Sequence, residues 1–167
     1  MRVGIFMGSF DPFHVGHCAV IDRVLRDNVV DNVLITISPG NPWKSWNPIS
    51  LEDRRKIIEL SGYTWIDSNS FPPDSDGKFY SYRQLEGILE RYRFEEKPII
   101  LGGADVNPRE WKNSEWILDN FGFYQVPRLP DSISSTKIRE LIKEGLSPLP
   151  YISEEAYSYI LERSLYK

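Results

Sequence analysis

The chain is poor in sulfur, in histidine and in excess charge of either sign. One cysteine, Cys18, among 167 residues closes no internal disulfide, and it fits a reducing compartment. The 20 Lys and Arg against 24 Asp and Glu leave a net charge of −4. That excludes the overall basic field expected of a partner for nucleic acid or an anionic membrane. No apolar run reaches membrane-spanning length, and the run after Met1-Arg2 is too short for a signal peptide. The expectation is a soluble, cytoplasmic protein with neither nucleic acid nor membrane as partner. Hydrophobic residues make up 41% and charged residues 26%, a globular composition, and the length fits one domain over 1–167.

Only two histidines are present, and both fall in "GSFDPFHVGH", 8–17. Short apolar runs alternate with helical patterns from there on. Strands are predicted over 2–7, 32–38, 63–67, 97–103 and "FGFYQVP", 121–127. Helices are predicted over 14–26, from Ser50 to about 60, over 80–93, 111–121 and 135–144, and from about 153 to 163. Val20, Ile21, Val24 and Leu25 form the apolar face of the first helix; Leu51, Ile57, Ile58 and Leu60 form that of the second. "GNPWKSWNP", 40–48, and "SFPPDSDGKF", 70–79, read as loops. "DSDG", 74–77, has calcium-loop residue types without the remaining ligands, and reads as a turn. Strands alternating with helices make an α/β domain: an open parallel sheet with helices on both faces.

Ligands of such sheets bind beyond the carboxyl ends of the strands. Gly8 to Phe13 lies at such an end. His14 and His17, three apart, leave one face of the first helical turn. Gly16 has no Cβ, so a ligand could approach the backbone, and a helix start offers unpaired N–H groups for phosphate. The alternative is a plain strand–helix turn with one histidine capping and one in the core. A second cluster lies in "ISSTKIR", 133–139. Ser134, Ser135 and Thr136 precede a helix, and Lys137 and Arg139 place cations in its first turn, where the dipole disfavours them. A phosphate between cation and dipole resolves that conflict; an ordinary N-cap with solvated charges is the competing account. Cys18 reads as a small buried hydrophobe. Trp46, Trp65 and Trp116 read as packing or surface.

Together, "GSFDPFHVGH" and "ISSTKIR" resemble the paired signatures of the nucleotidylyltransferase superfamily. "GGADVNPREW", "NPWK", "FYSYRQL" and the tail "YISEEAYSYILERSLY" resemble segments of nicotinate/nicotinamide mononucleotide adenylyltransferases. The resemblance runs from end to end and implies a Rossmann-like fold whose C-terminal helices, about 135–167, complete the ATP site. It implies AMP transfer from ATP to nicotinate or nicotinamide mononucleotide, giving a dinucleotide and pyrophosphate in NAD biosynthesis.

By resemblance His14, His17, Lys44 and Arg139 are catalytic. Gly8, Ser9, Phe10, His17, Gly103, Asp105, Ile133, Ser134, Ser135, Thr136 and Arg139 bind ATP. Ser9, Lys44, Ser81, Tyr82 and Trp111 bind the mononucleotide, Trp111 by stacking on the pyridine ring. Mg²⁺ would bridge ATP oxygens and keep mostly water ligands, with no protein-built metal site. A homo-oligomer is compatible with all of this. Trp43 replaces the family's loop histidine, and Ser81-Tyr82-Arg83 matches its signature in part; both departures bear on the acceptor more than on the chemistry. Arg83 and Arg109, near helix starts, suit the carboxylate of nicotinate. Other readings are a pantetheine-phosphate adenylyltransferase, which usually has Thr at the His14 position, a cytidylyltransferase with a different closing motif, or a nucleotide-binding sensor without turnover.

Overall fold

A computed structural model describes residues 1–39, 48–67, 73–103, 106–127, 129 and 133–167. Four strands, β1 (Val3–Gly8), β2 (Asn32–Ile37), β3 (Ile99–Gly102) and β4 (Gly122–Gln125), form one all-parallel sheet in the order β2-β1-β3-β4. The helices are α1 (Val15–Arg26), α2 (Leu51–Leu60), α3 (Ser81–Arg91), α4 (Ser114–Asn120), α5 (Ser135–Lys143) and α6 (Glu154–Glu162). A single 3-10 turn, Pro108–Glu110, precedes α4.

Side chains alternate across the sheet with the period-2 rule. Leu34, Ile5, Ile100 and Phe123 are register partners on one face, where Tyr82, Leu85 and Ile88 of α3 and Ile117 of α4 cover them. Ile35, Phe6, Leu101 and Tyr124 are partners on the other face, under Ile21 and Val24 of α1, Ile57 and Ile58 of α2, Ile138 and Ile142 of α5 and Ile160 of α6. Both faces are thus buried, as a parallel sheet requires.

Three sequence expectations need correction, and one feature of α2 was not foreseen. The run 63–67 makes no strand; Trp65 pairs as an isolated bridge with Ile35 on the open side of β2. Its indole donates to Glu59 and lies under Arg55, and the Ile66 N–H donates to the Ile35 carbonyl at 2.7 Å, a single bridge rather than a ladder. The helix expected over 111–121 begins only at Ser114, because Asn113 is left-handed with φ 58°, which a continuing helix does not allow. Leu25 of α1 stays 40% exposed. In α2 the charged Asp53 and Arg54 are buried alongside Ile57 and Ile58.

The strand order decides where a ligand sits. From β1 the chain moves to β2 on one side; from β3 it moves to β4 on the other. The switch point, and the crevice it opens, lies beyond the carboxyl ends of β1 and β3. Gly8-Ser9 and Gly102-Gly103 stand there. Among the described residues, no helix is long and apolar enough to cross a membrane.

Candidate active site

His14 is the N-cap of α1, with extended backbone (φ −147°, ψ 177°), rather than its first helical residue. Its Nδ1 accepts the Gly16 N–H at 3.0 Å, and the Nδ1 of His17 accepts the His14 N–H at 3.1 Å. The two histidines therefore cap the helix reciprocally, in the way a Ser and a Glu do in a capping box. An Nδ1 that accepts an N–H carries no proton, so both rings are neutral tautomers protonated at Nε2. The rings lie side by side, 3.8 Å between centroids.

Burial lowers the His14 pKa from 6.5 to about 4. Burial, and then the neighbouring His14, holds His17 well below the ordinary range. His17 is stacked on Phe13 and edge-on to Phe10, with centroids 5.2 and 4.9 Å away. Phe10 itself is 3% exposed and left-handed (φ 48°), a conformation bulky side chains seldom adopt and one found at over-determined sites.

The capping accounts for the first helical turn differently from the sequence expectation. The Val15 N–H donates to the Tyr151 carbonyl at 2.9 Å, Gly16 to His14 Nδ1, and His17 to the His14 carbonyl at 3.0 Å. The helix start keeps no free backbone donor there; two Nε2–H groups take that place. Gly16 is needed for a different reason as well: a Cβ would stand 2.7 Å from His14 Cε1. The His14 imidazole lies against the space it leaves.

Neutral, capped histidines make stability depend on pH with a definite sign. Unfolded, His14 takes a proton below about 6.5; folded, it resists down to about 4. The unfolded state binds more protons across that window, so stability falls as pH drops through it. The contribution at stake is on the order of 3 kcal/mol. His14→Gln keeps an oxygen to accept the Gly16 N–H and has no proton to gain. Urea unfolding at pH 4.5 and 7.0 is expected to show a smaller acid loss for this variant than for the parent. Equal losses would mean that His14 is not the titrating group.

The second helix start docks on the same loop. Ser134 is the N-cap of α5 and accepts the Lys137 N–H at 3.1 Å. Ser135 Oγ donates to the Pro12 carbonyl at 2.9 Å. Arg139 donates from Nη1 to the Asp11 carbonyl at 2.8 Å and from Nη2 to Thr136 Oγ1 at 3.2 Å. Ile133 enters the same neighbourhood: its carbonyl lies 3.4 Å from where a Gly16 Cβ would stand. The two phosphate-type motifs, more than a hundred residues apart in sequence, thus converge on 9–17.

A buried guanidinium underlies the loop. Arg54, 2% exposed, donates from Nη1 to the carbonyls of Ser9 (3.0 Å) and Ser38 (2.7 Å) and from Nε to that of Ile49 (3.0 Å). It joins the ends of β1 and β2 to the start of α2. Sequence reasoning missed it, since a charged residue in a helix is ordinarily solvated. The nearest signal was its place one turn after the Ser50 cap, beside Ile57 and Ile58.

The residues expected to meet the mononucleotide lie on α3 and beside the 3-10 turn. Ser81 opens α3; Gln84, buried, bridges Thr36 Oγ1 (3.0 Å) and Ser38 Oγ (3.2 Å) and so fixes α3 to the end of β2. Tyr82 is 6% exposed, and its hydroxyl donates to Asp74 at 2.8 Å. Lys112 and Arg83 also pair with Asp74, and Arg83 lies 3.6 Å from Glu86. The "DSDG" stretch is a turn, as expected, closed by bonds between Asp74 and both Gly77 and Lys78. Its first carboxylate ties the α3 start to the α4 approach, a role the sequence did not reveal. Trp111 closes the 3-10 turn and packs half-buried on the sheet face covered by α3 and α4. Cys18 is half-buried in α1, with its thiol pushed up by burial. Lys44, Asp105, Trp43 and Trp46 lie outside the described residues.

A cytidylyltransferase-like family model matches residues 5–141. Among curated proteins, one of Cytophaga hutchinsonii named probable nicotinate-nucleotide adenylyltransferase is 30% identical, covering 99% of this chain and 98% of its own. One of Flavobacterium johnsoniae with the same name is 26% identical over the whole of both chains. Among solved structures, the Plasmodium falciparum nicotinic acid mononucleotide adenylyltransferase complexed with NaAD has a TM-score of 0.72 at 18% identity, covering 99% of this chain and 98% of that one. At that identity the likeness bears on the fold.

Proposed function

The chain belongs to the cytidylyltransferase-like family, and from that premise we propose that it is an adenylyltransferase moving AMP from ATP to nicotinate mononucleotide. The dinucleotide and pyrophosphate are the products, a step of NAD biosynthesis. The observation that carries this is the reciprocal capping of His14 and His17, which leaves two Nε2–H donors at the end of β1, beside the docked start of α5. In the reaction an oxygen of the mononucleotide phosphate attacks the α-phosphorus of ATP. The bond from that phosphorus to the bridging oxygen breaks, and pyrophosphate leaves with the electron pair.

The attacking monoester is already ionised at neutral pH, so no strong base is required. Positioning and neutralisation of developing charge carry the rate. Neutral imidazoles suit that work, because they donate without a proton to lose. His17 and His14 would meet the reacting α-phosphate, and Ser9 and Lys44 the attacking phosphate. Ser134, Ser135, Thr136 and Arg139 would meet the β- and γ-phosphates. Gly8, Phe10, Gly103, Asp105 and Ile133 would complete the ATP side. Ser81, Tyr82 and Trp111 would shape the ring pocket, Tyr82 through its backbone, given its buried side chain. Mg²⁺ would enter with ATP. Phosphate oxygens and water would supply its ligands.

The acceptor preference follows from chemistry at the helix starts, where backbone N–H groups and the positive dipole end suit a carboxylate over an amide. The relatives named above act, by their names, on the nicotinate form. The test is kcat/KM for both mononucleotides at saturating ATP, following pyrophosphate. Nicotinate mononucleotide is expected to be preferred, with some turnover of the amide. A tenfold preference for the amide, about 1.4 kcal/mol, would overturn the acceptor reading and leave the transfer chemistry standing. ATP hydrolysis at the same rate without any acceptor would sink the transferase reading.

A further inference from the structure

Beyond α6 the chain turns back on itself. Ser164 and Tyr166 are both left-handed, with φ of 54° and 63°, and Leu165 and Tyr166 pack on the core beneath α1, α2, α5 and α6. The turn brings the Tyr166 hydroxyl to Asp11 Oδ1, where it donates at 2.6 Å across 155 positions of sequence. Asp11 is 1% exposed, in the middle of the loop between β1 and α1. Its carbonyl is also the acceptor of Arg139 Nη1, at 2.8 Å. The next carbonyl, that of Pro12, takes the Ser135 hydroxyl. One buried residue therefore receives the tail tyrosine on its side chain and the α5 arginine on its backbone.

A tyrosine that only fills space needs no such partner, since Phe would pack equally well. Burial and the Asp11 charge push the Tyr166 hydroxyl up, so it stays a donor at every physiological pH. Its bond fixes the Asp11 side chain. That anchors the residue whose carbonyl lies under Arg139.

We propose that Tyr166 is a positioning residue for the triphosphate end of the site, acting through Asp11 on Arg139. The proposal rests on the adenylyl-transfer reading only in taking Arg139 as the cation that meets the β- and γ-phosphates. It separates two ligands that share the adenosine end: ATP engages Arg139, and AMP does not reach it.

The experiment compares the parent, Tyr166→Phe, Arg139→Ala and the double variant by calorimetric titration with Mg·ATP and with AMP, without acceptor. Tyr166→Phe is expected to bind ATP about tenfold more weakly, the scale of one charge-assisted hydrogen bond displaced. AMP affinity is expected to stay within about twofold, and Tm to fall by only a few degrees. The double variant is expected to bind ATP no more weakly than Arg139→Ala alone, because one path carries both effects. Equal weakening of ATP and AMP, additive losses in the double variant, or unchanged ATP affinity would each leave Tyr166 as core packing and overturn the proposal. A parent that binds ATP while Tyr166→Phe matches it sinks this proposal alone. A parent that binds no ATP sinks the adenylyl-transfer reading with it.

Discussion

His17→Ala is expected to lower kcat by roughly 10²–10³, the usual loss when one fixed donor to developing charge is removed. The donor is the Nε2–H left outward because His17 Nδ1 is occupied by the His14 N–H. The same substitution removes the cap on that N–H, at a cost of about 1 kcal/mol. The ring's contacts with Phe10 and Phe13 go too. His17→Gln separates the two effects. Its side-chain oxygen can accept the His14 N–H, as Glu or Gln does at that position of a capping box. Stability is therefore expected to recover in the Gln variant while kcat stays low. Single-turnover rates with saturating ATP and nicotinate mononucleotide, beside urea unfolding of each variant, read both quantities. A folded Ala variant with near-parent turnover would make His17 a capping residue and nothing more.

The second large effect is on stability. Arg54→Met is expected to destabilise the fold by about 3–5 kcal/mol. The side chain keeps its length but leaves the carbonyls of Ser9, Ser38 and Ile49 without their donor. Each buried acceptor left unpaired costs about 1–3 kcal/mol, partly offset by no longer burying a charge. For a chain of this size that is roughly a 10 °C fall in Tm. Burial already pushes the Arg54 guanidinium below its ordinary pKa, a sign that the charge is held for its geometry. Arg54→Lys is expected to recover little, because an ammonium cannot span carbonyls on three segments. A loss under about 1 kcal/mol for Arg54→Met would show that water or a rearranged backbone satisfies those carbonyls.

Asp74 illustrates how residue types can be legible while their partners are not. The turn at 74–77 was plain from Asp, Ser and Gly. Its carboxylate's partners, Tyr82, Arg83 and Lys112, come from two further segments with no local pattern linking them. The helix expected to start at Trp111 failed for a related reason. The stretch 111–121 reads as helical, but one left-handed residue, Asn113, interrupts it, and no sequence pattern reports a single dihedral.

What the sequence by itself determined is what short range dictates. Period-2 and period-3.6 patterns marked the four strands of the sheet, along with a fifth at 63–67 that does not form, and the helices that cover both faces. Hydroxyls before "KIR" marked the α5 cap, and two histidines three apart marked one helical turn. What only the tertiary structure decided is where the hydrogen bonds of those groups go. His14 and His17 cap each other because His14 takes an extended backbone at the strand end. Gly16 yields its space to an imidazole, and Arg54 and Tyr166 hold the loop from 45 and 155 positions away. Backbone donors and acceptors in a buried loop must all be satisfied. The partners that satisfy them are chosen by how the helices pack, which no local stretch of sequence encodes.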